Sequence, residues 1–458
     1  MLLSSLGTSV ANVALPTLAE SFGATFQGIQ WVVLAYLLAI TVLIVSVGRL
    51  GDMFGHRRLL LAGLCLYAVA SVLCSAATSL WILIAARGLQ GLGAAIMMAV
   101  SLALAGGSIA KEKTGSAIGL LGTMSALGTA LGPTLGGVLI SGLGWRAIFH
   151  VTAAGATLAL FLTYRNLPAD SRRESKSRMR VDVLGSSLLA FTLAAYALAM
   201  TIGTGKDIVF GLALVICTVL GAGLFLLAEK RAEKPLINLS LLRGSQLSAA
   251  LATSALVSTV LMATLVVGPF YLSLALGLQA GQVGLAMTVG PIVVSLCSVP
   301  AGRLVDQAGT HLLTVTGLAG IAAGCLILSL LPMTFGVSGF IGGIIVVTLG
   351  YALFQTANTT AVMKDAAEDV RGVTSGMLNL SRNLGLITGA SMIGAVFALA
   401  SGIQDSIATA PDAVARGMRV TFAVAGALMP IAIFIVYAHR WRRGEGSMNR
   451  ELAAPLKN

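Results

Sequence analysis

The chain has 458 residues, of which 57% are hydrophobic and only 10% charged, and its mean hydropathy is +0.94. A soluble domain carries about 25% charged residues, so a water-soluble fold of this length is excluded. The formal charge of +12 does not point to nucleic acid, because the basic residues sit in short loops between apolar runs and form no aromatic-laced patch.

A helix crosses a bilayer in about 20 apolar residues, whereas barrel strands need alternating segments of about 10. The apolar runs here are long and continuous, so an all-α polytopic membrane protein is expected. In chain order, spans are expected near residues 1–19, 30–48, 59–78, 80–105, 115–141 and 146–164. Two more follow at 183–203 and 208–228, then six at 246–275, 281–302, 312–331, 337–361, 374–400 and 420–439. The fourteen spans read as an N-terminal six-helix bundle (1–164), linkers with a central pair (165–245) and a C-terminal six-helix bundle (246–440). A short, polar, basic cytoplasmic tail (441–458) closes the chain. The first span begins at Met1 without flanking residues, so it either starts abruptly or continues upstream, and no signal peptide is read there. Cys65, Cys74, Cys217, Cys297 and Cys325 lie singly inside apolar runs, with no metal spacing or disulfide framework.

Charge placement tests the span count. With the turn at 49–58 assigned to the cytoplasm, only Arg146, Lys206, Arg416 and Arg419 of the 29 Lys and Arg fall outside. Arg87 and Arg382 fall within spans, and the remainder are cytoplasmic. Both termini are therefore expected inside.

Gly48-Arg49-Leu50-Gly51-Asp52, followed by Gly55, Arg57 and Arg58, recurs as Gly302-Arg303-Leu304-Val305-Asp306, followed by Gly309. Two copies between apolar runs indicate two related halves. The glycines permit a tight reversal, and Asp52 is placed to meet a helix N-terminus or an arginine and so latch one conformation. A plain positively charged turn is the alternative. In the fourth span, Arg87, Gln90, Gly91 and Ala94 share one helical face. An intramembrane arginine either faces the bundle interior with a partner or snorkels to the interface. In the fifth span, Gly128, Gly132 and Gly136 form a small-residue ridge, and Pro133 adds a kink. Arg382 and Asn383, ahead of Gly385 and Gly389, read as a polar cavity wall or as a packing seam. Gln355 and Asn358 read as cavity groups or as polar glue between helices.

With these motifs in view, the chain resembles the major facilitator superfamily, and within it the fourteen-span drug/proton antiporter branch. Asn12-Val13-Ala14-Leu15-Pro16 is similar to that branch's first-span signature, and Gly48 to Arg58 to the superfamily's cytoplasmic loop motif. Arg87-Gly88-Leu89-Gln90-Gly91 is similar to the fourth-span motif, and Gly119 to Gly137 to the fifth-span antiporter motif. The resemblance implies two six-helix bundles rocking about a central cavity, with export driven by inward proton flow. It places Asp52 and Arg57 in a gating latch and Arg87 in the coupling machinery, and it makes the fifth-span glycines set an exporter-type bend.

The departures are specific. Gly7 stands where the branch usually carries an aspartate, and His56 replaces the usual Arg or Lys. None of the 17 Asp and Glu falls near the middle of an expected span. Proton coupling is thus implied by the resemblance and not by the residues. His150, beside Arg146, titrates near neutrality or is an interfacial structural histidine. With Arg87 and Arg382 as the intramembrane charges, neutral or anionic amphipaths are expected to be better substrates than dications.

The expected function is a secondary active exporter of small amphipathic compounds in the cytoplasmic membrane, exchanging them for protons by alternating access. An uncoupled or differently coupled metabolite carrier, or a non-transporting receptor, remains the alternative. Nucleophile–base pairs, metal-ligand clusters and nucleotide loops are missing, so no enzyme, cofactor or metal is expected. The expected partners are substrate, protons and lipid, and the chain is read as a monomer.

Overall fold

Backbone groups in lipid must be satisfied internally, and the computed structural model, which describes residues 1–107, 111–168, 183–202, 208–231, 245–365, 371–403 and 410–452, is helical throughout. The first six helices are α1 (Leu2–Phe22), α2 (Phe26–Phe54), α3 (His56–Ser75), α4 (Leu80–Gly107), α5 (Lys111–Leu143) and α6 (Arg146–Asn166). The central pair is α7 (Val183–Ile202) and α8 (Ile208–Arg231). The second set begins with α9 (Ser245–Phe270, extended by a π turn Tyr271–Ala275), α10 (Ala280–Ala308) and α11 (Thr310–Leu330). It ends with α12 (Gly336–Asp365), α13 (Arg371–Thr388, a π turn Gly389–Ile393, then Gly394–Ser401) and α14 (Pro411–Leu452). Among the described residues, twelve stretches are long and apolar enough to cross a bilayer, and shorter apolar stretches lie within α5 and α7. Fourteen long helices are described where fourteen spans were expected.

Several boundaries differ from expectation for local reasons. Gly23, in the left-handed region at φ 55°, ends α1, and its N–H caps Ala19 and Glu20 carbonyls. The first connection therefore shrinks to residues 23–25, and α2 begins at Phe26 instead of near 30. Pro411 opens α14, a favoured first helical position, so Arg416 and Arg419 lie in a helix and not in the expected loop. The tail expected from 441 continues that helix to Leu452. At 42 residues it measures about 63 Å, twice the hydrocarbon thickness. Most of the two basic linkers, at 169–182 and 232–244, lies outside the described residues.

The internal repeat has a backbone signature. Gly55 (φ 88°) and Gly309 (φ 84°) each make the one-residue corner between a long helix and the next. That conformation favours glycine over residues with a Cβ, which explains why both copies of the motif keep it.

Helix 2 of each set packs on helix 5 of the other: α2 meets α13, and α10 lies along α5. Within each set, α1 runs along α5 and α9 along α13. Near the turns at 23–25, 144–145 and 276–279 one continuous apolar core joins both sets, including Leu18, Phe26, Trp145, Phe270, Phe397 and Phe422. Toward the opposite end the core divides. Leu64, Tyr67 and Met97 cluster in the first set, and Val305, Leu313 and Ala357 in the second. Between them, Leu189, Leu193 and Phe225 of the central pair pack with Leu38, Val42 and Leu384.

Candidate functional site

Arg87 is fully buried among α1, α2, α3 and α4. Its Nε donates to the Val32 carbonyl at 3.0 Å, and Nη2 to the Gly7 carbonyl at 3.0 Å. Nη1 donates to Gln90 Oε1 at 2.6 Å. Gln90 donates onward to Ser71 Oγ, and Ser71 to the Tyr67 carbonyl, each at 2.7 Å. The guanidinium carbon lies 4.2 Å from the centroid of the Tyr36 ring, a cation–π contact. Tyr36 and Tyr67 hydroxyls donate to the Ser4 and Leu3 carbonyls. Carbonyl dipoles, an amide oxygen and an aromatic face thus meet the buried charge, and none of these groups is a carboxylate.

That geometry decides between the two readings of Arg87: it faces the bundle interior and does not snorkel. It also lies inside the first set of helices and not on an open vestibule wall. A Cβ added at Gly7 would collide with the Tyr67 hydroxyl and stand 2.9 Å from that of Tyr36. The two tyrosines fill the volume in which an acidic side chain at position 7 would sit.

The fifth-helix glycines serve two seams. A Cβ at Gly128 would strike the Leu2 carbonyl, one at Gly132 the Ser9 hydroxyl, and one at Gly136 would press on Val10, all on α1. Ser9 Oγ also donates to the Gly128 carbonyl at 3.3 Å. Gly137 faces the other way, with its Cβ position 2.6 Å from the Ala280 carbonyl and 3.0 Å from Gly284 Cα on α10. Gly284 in turn abuts the Pro133 carbonyl. Gly281 N donates to Ser141 Oγ at 2.8 Å, and the Thr134 and Thr288 hydroxyls bond to each other. Gly119 is helical, but its surroundings lie outside the described residues.

In the second set, Gly385 and Gly389 press on Ala255, Thr259 and Met262 of α9, so that face of α13 is a packing seam. Arg382 and Asn383 are half-buried off this seam, as is Gln355 on α12. Among the described residues these three make no hydrogen bond or ion pair. Arg382 and Gln355 both lie about 15 Å from the end that carries Gly309, at 1.5 Å per residue. Asn358 is different: buried, it donates to the Ala250 carbonyl at 3.2 Å and joins α12 to α9.

Of the loop motif, Gly48 and Asp52 have side-chain surroundings outside the described residues. Arg57 donates to the Tyr164 carbonyl at 2.8 Å and lies 5.4 Å from that ring. His311 and Tyr437 pack at 5.5 Å in the equivalent place of the second set. Asp306 pairs with Lys364 at 3.9 Å, both well exposed, and Gly302 faces open space.

The sequence matches the Major Facilitator Superfamily over residues 1–390, and the fourteen helices pack with the internal repeat just described. The chain belongs to the major facilitator superfamily. It is 32% identical over 388 residues to the uncharacterized transporter YebQ of Escherichia coli (strain K12), covering 85% of each. It is 32% identical over 428 residues to the multidrug resistance protein Stp of Mycobacterium tuberculosis, covering 90% of this chain and 77% of Stp. The riboflavin transporter RibZ of Clostridioides difficile (strain 630) is 28% identical over 396 residues, covering 86% of each. A bacterial homolog of the human lysosomal transporter Spinster, in an inward-facing and occupied conformation, superposes with TM-score 0.71 at 13% identity. That match covers 96% of this chain and 94% of the other, and at such identity it speaks to the fold alone.

Two buried polar residues of this facilitator escaped the sequence reading. Glu229 is 2% exposed because α8 runs on to Arg231, whereas a charged linker was expected from 229. The apolar Leu226-Leu227-Ala228 just before it was the available signal. Gln30, also 2% exposed, stood at the first residue of an expected span and was given no role.

Proposed function

We propose that this facilitator belongs to the fourteen-span drug/proton antiporter branch and exports small amphipathic compounds by rocking residues 1–164 against residues 246–440. The observation that carries this reading is the one-sided closure. The seams between the sets and the shared aromatic core lie at one end, while the core divides at the other. The positive-inside bias makes the joined end the outer one, with both termini in the cytoplasm of an inner-membrane protein. The protein is then poised to load from inside, as an exporter must be. Stp is named for multidrug resistance, which favours a broad amphipathic substrate class. Proton exchange rests on resemblance to the branch. The half-buried Arg382, with Asn383 and Gln355 nearby in depth, favours neutral or acidic compounds over dications.

RibZ, named a riboflavin transporter, favours a second reading as a carrier of one metabolite. Flux of neutral, acidic and dicationic compounds into proteoliposomes under an imposed pH gradient separates these readings. Export of neutral and acidic compounds with matching proton movement is expected. Selective export of dications overturns the substrate class, and flux without proton movement favours the uncoupled carrier. In the same assay Arg382→Gln is expected to raise KM for acidic compounds about tenfold and leave neutral ones unchanged. An equal loss for both would assign Arg382 to packing.

The loop motif has its own test. Asp52→Asn is expected to slow turnover about tenfold, the size of a typical conformational coupling, while equilibrium binding stays intact. Unchanged turnover would remove the latch role from Asp52.

A further inference from the structure

A polar contact crosses between the two sets of helices at the seam of α2 and α13. Gln30 Nε2 donates to the Ala390 carbonyl at 2.9 Å, and both residues are buried. Ala390 lies in the π turn Gly389–Ile393, where the ordinary helical hydrogen-bond ladder is interrupted. One turn further on stands Gly394, and a Cβ added there would collide with the Gln30 amide nitrogen. Beside the pair, Phe26, Phe270 and Phe397 stack with centroids 4.8, 5.3 and 6.3 Å apart, drawing α2, α9 and α13 together. All three rings are fully buried.

We propose that the Gln30 amide and the Ala390 carbonyl form a latch that holds the end carrying residues 23–25 and 276–279 shut. The α5–α10 seam at the same end presses backbone on backbone at Gly137 and Gly284, and the Ser141 and Thr288 hydroxyls that bond across it also bond the Gly137 and Gly284 carbonyls of their own helices, so they keep a partner when the seam parts. The α2–α13 seam must instead part an amide from a carbonyl in a water-poor place, where an unmade hydrogen bond is costly. The aromatic cluster excludes water from the pair while the end is closed. When the end opens, water reaches both groups and the cost falls. The latch thus favours the closed arrangement whatever the cargo, so it stands apart from the substrate reading above.

The test is a distance measurement between spin labels at Thr25 and Leu399 in a full-length variant lacking the native cysteines, without substrate. The parent is expected to give mainly the short, closed distance. Gln30→Leu keeps the volume and removes the donor, and is expected to raise the open-to-closed ratio about threefold to tenfold. Gly394→Ala, which expels the amide while leaving Gln30 in place, is expected to do the same. Combining Gln30→Ala with Gly394→Ala should add nothing to Gln30→Ala alone, because the new methyl occupies the space the amide has left. Identical distance distributions for the parent and Gln30→Leu overturn the latch, as do independent, additive shifts from positions 30 and 394.

Discussion

Arg87→Ala is expected to abolish flux and to destabilise the first set of helices by about 3–5 kcal/mol, the range for removing one partner from a buried charged network. Three donors leave at once, so the Gln90 amide oxygen loses the guanidinium and the Tyr36 face loses its cation. The network ties α1 to α2, α3 and α4 through groups far apart in sequence. Arg87→Lys is the informative companion. An ammonium is a point charge on a flexible stem and cannot reproduce the planar fork, so it should recover part of the thermal stability and little flux. Detergent melting curves with proteoliposome flux check both variants. Normal export by Arg87→Ala would remove the residue from the mechanism.

Gly284→Val is expected to hold the α5–α10 seam apart and to lower export more than tenfold, since a Cβ there meets backbone and not a flexible side chain tip. Even a methyl would strike the Pro133 carbonyl and lie 2.9 Å from Gly137 Cα. Neither neighbour can rotate away, and overpacking costs about 1–3 kcal/mol before any backbone shift. The damage falls on the contact between the two sets, so the variant should remain folded while the closed end is lost. Gly142→Ala is the control: it lies on the facing helix α5 with nothing near its Cβ position, and its export should match the parent. Flux with size-exclusion profiles measures both, and undiminished export by Gly284→Val would show that the seam tolerates separation.

Hydropathy alone located the fourteen helices, because the cost of exposing backbone to lipid is paid locally and leaves long apolar runs. The paired corners at Gly55 and Gly309 were legible for a similar reason: a one-residue reversal needs a backbone conformation that glycine adopts readily. Arg87 also announced itself, since an arginine within a span must be given partners. Which partners it takes was not legible. Gly7, Val32 and Tyr36, with Ser71 behind Gln90, come from three other helices, and no local pattern relates them to residue 87.

The same distinction runs through the rest of the molecule. Asn358 and Gln355 look alike in a polar run of α12, yet one bonds α9 and the other does not. Glu229 and Gln30 stood at the edges of expected spans, and burial depended on how far α8 and α2 extend. The π turns at Tyr271–Ala275 and Gly389–Ile393 have no signature in apolar content. Residue chemistry along the chain is enough to set how many helices form and which polar groups must be satisfied, for those depend on each segment and its solvent. Which end closes, which glycine meets which backbone, and what answers a buried charge depend on packing between distant segments, so they emerge only when the helices are assembled.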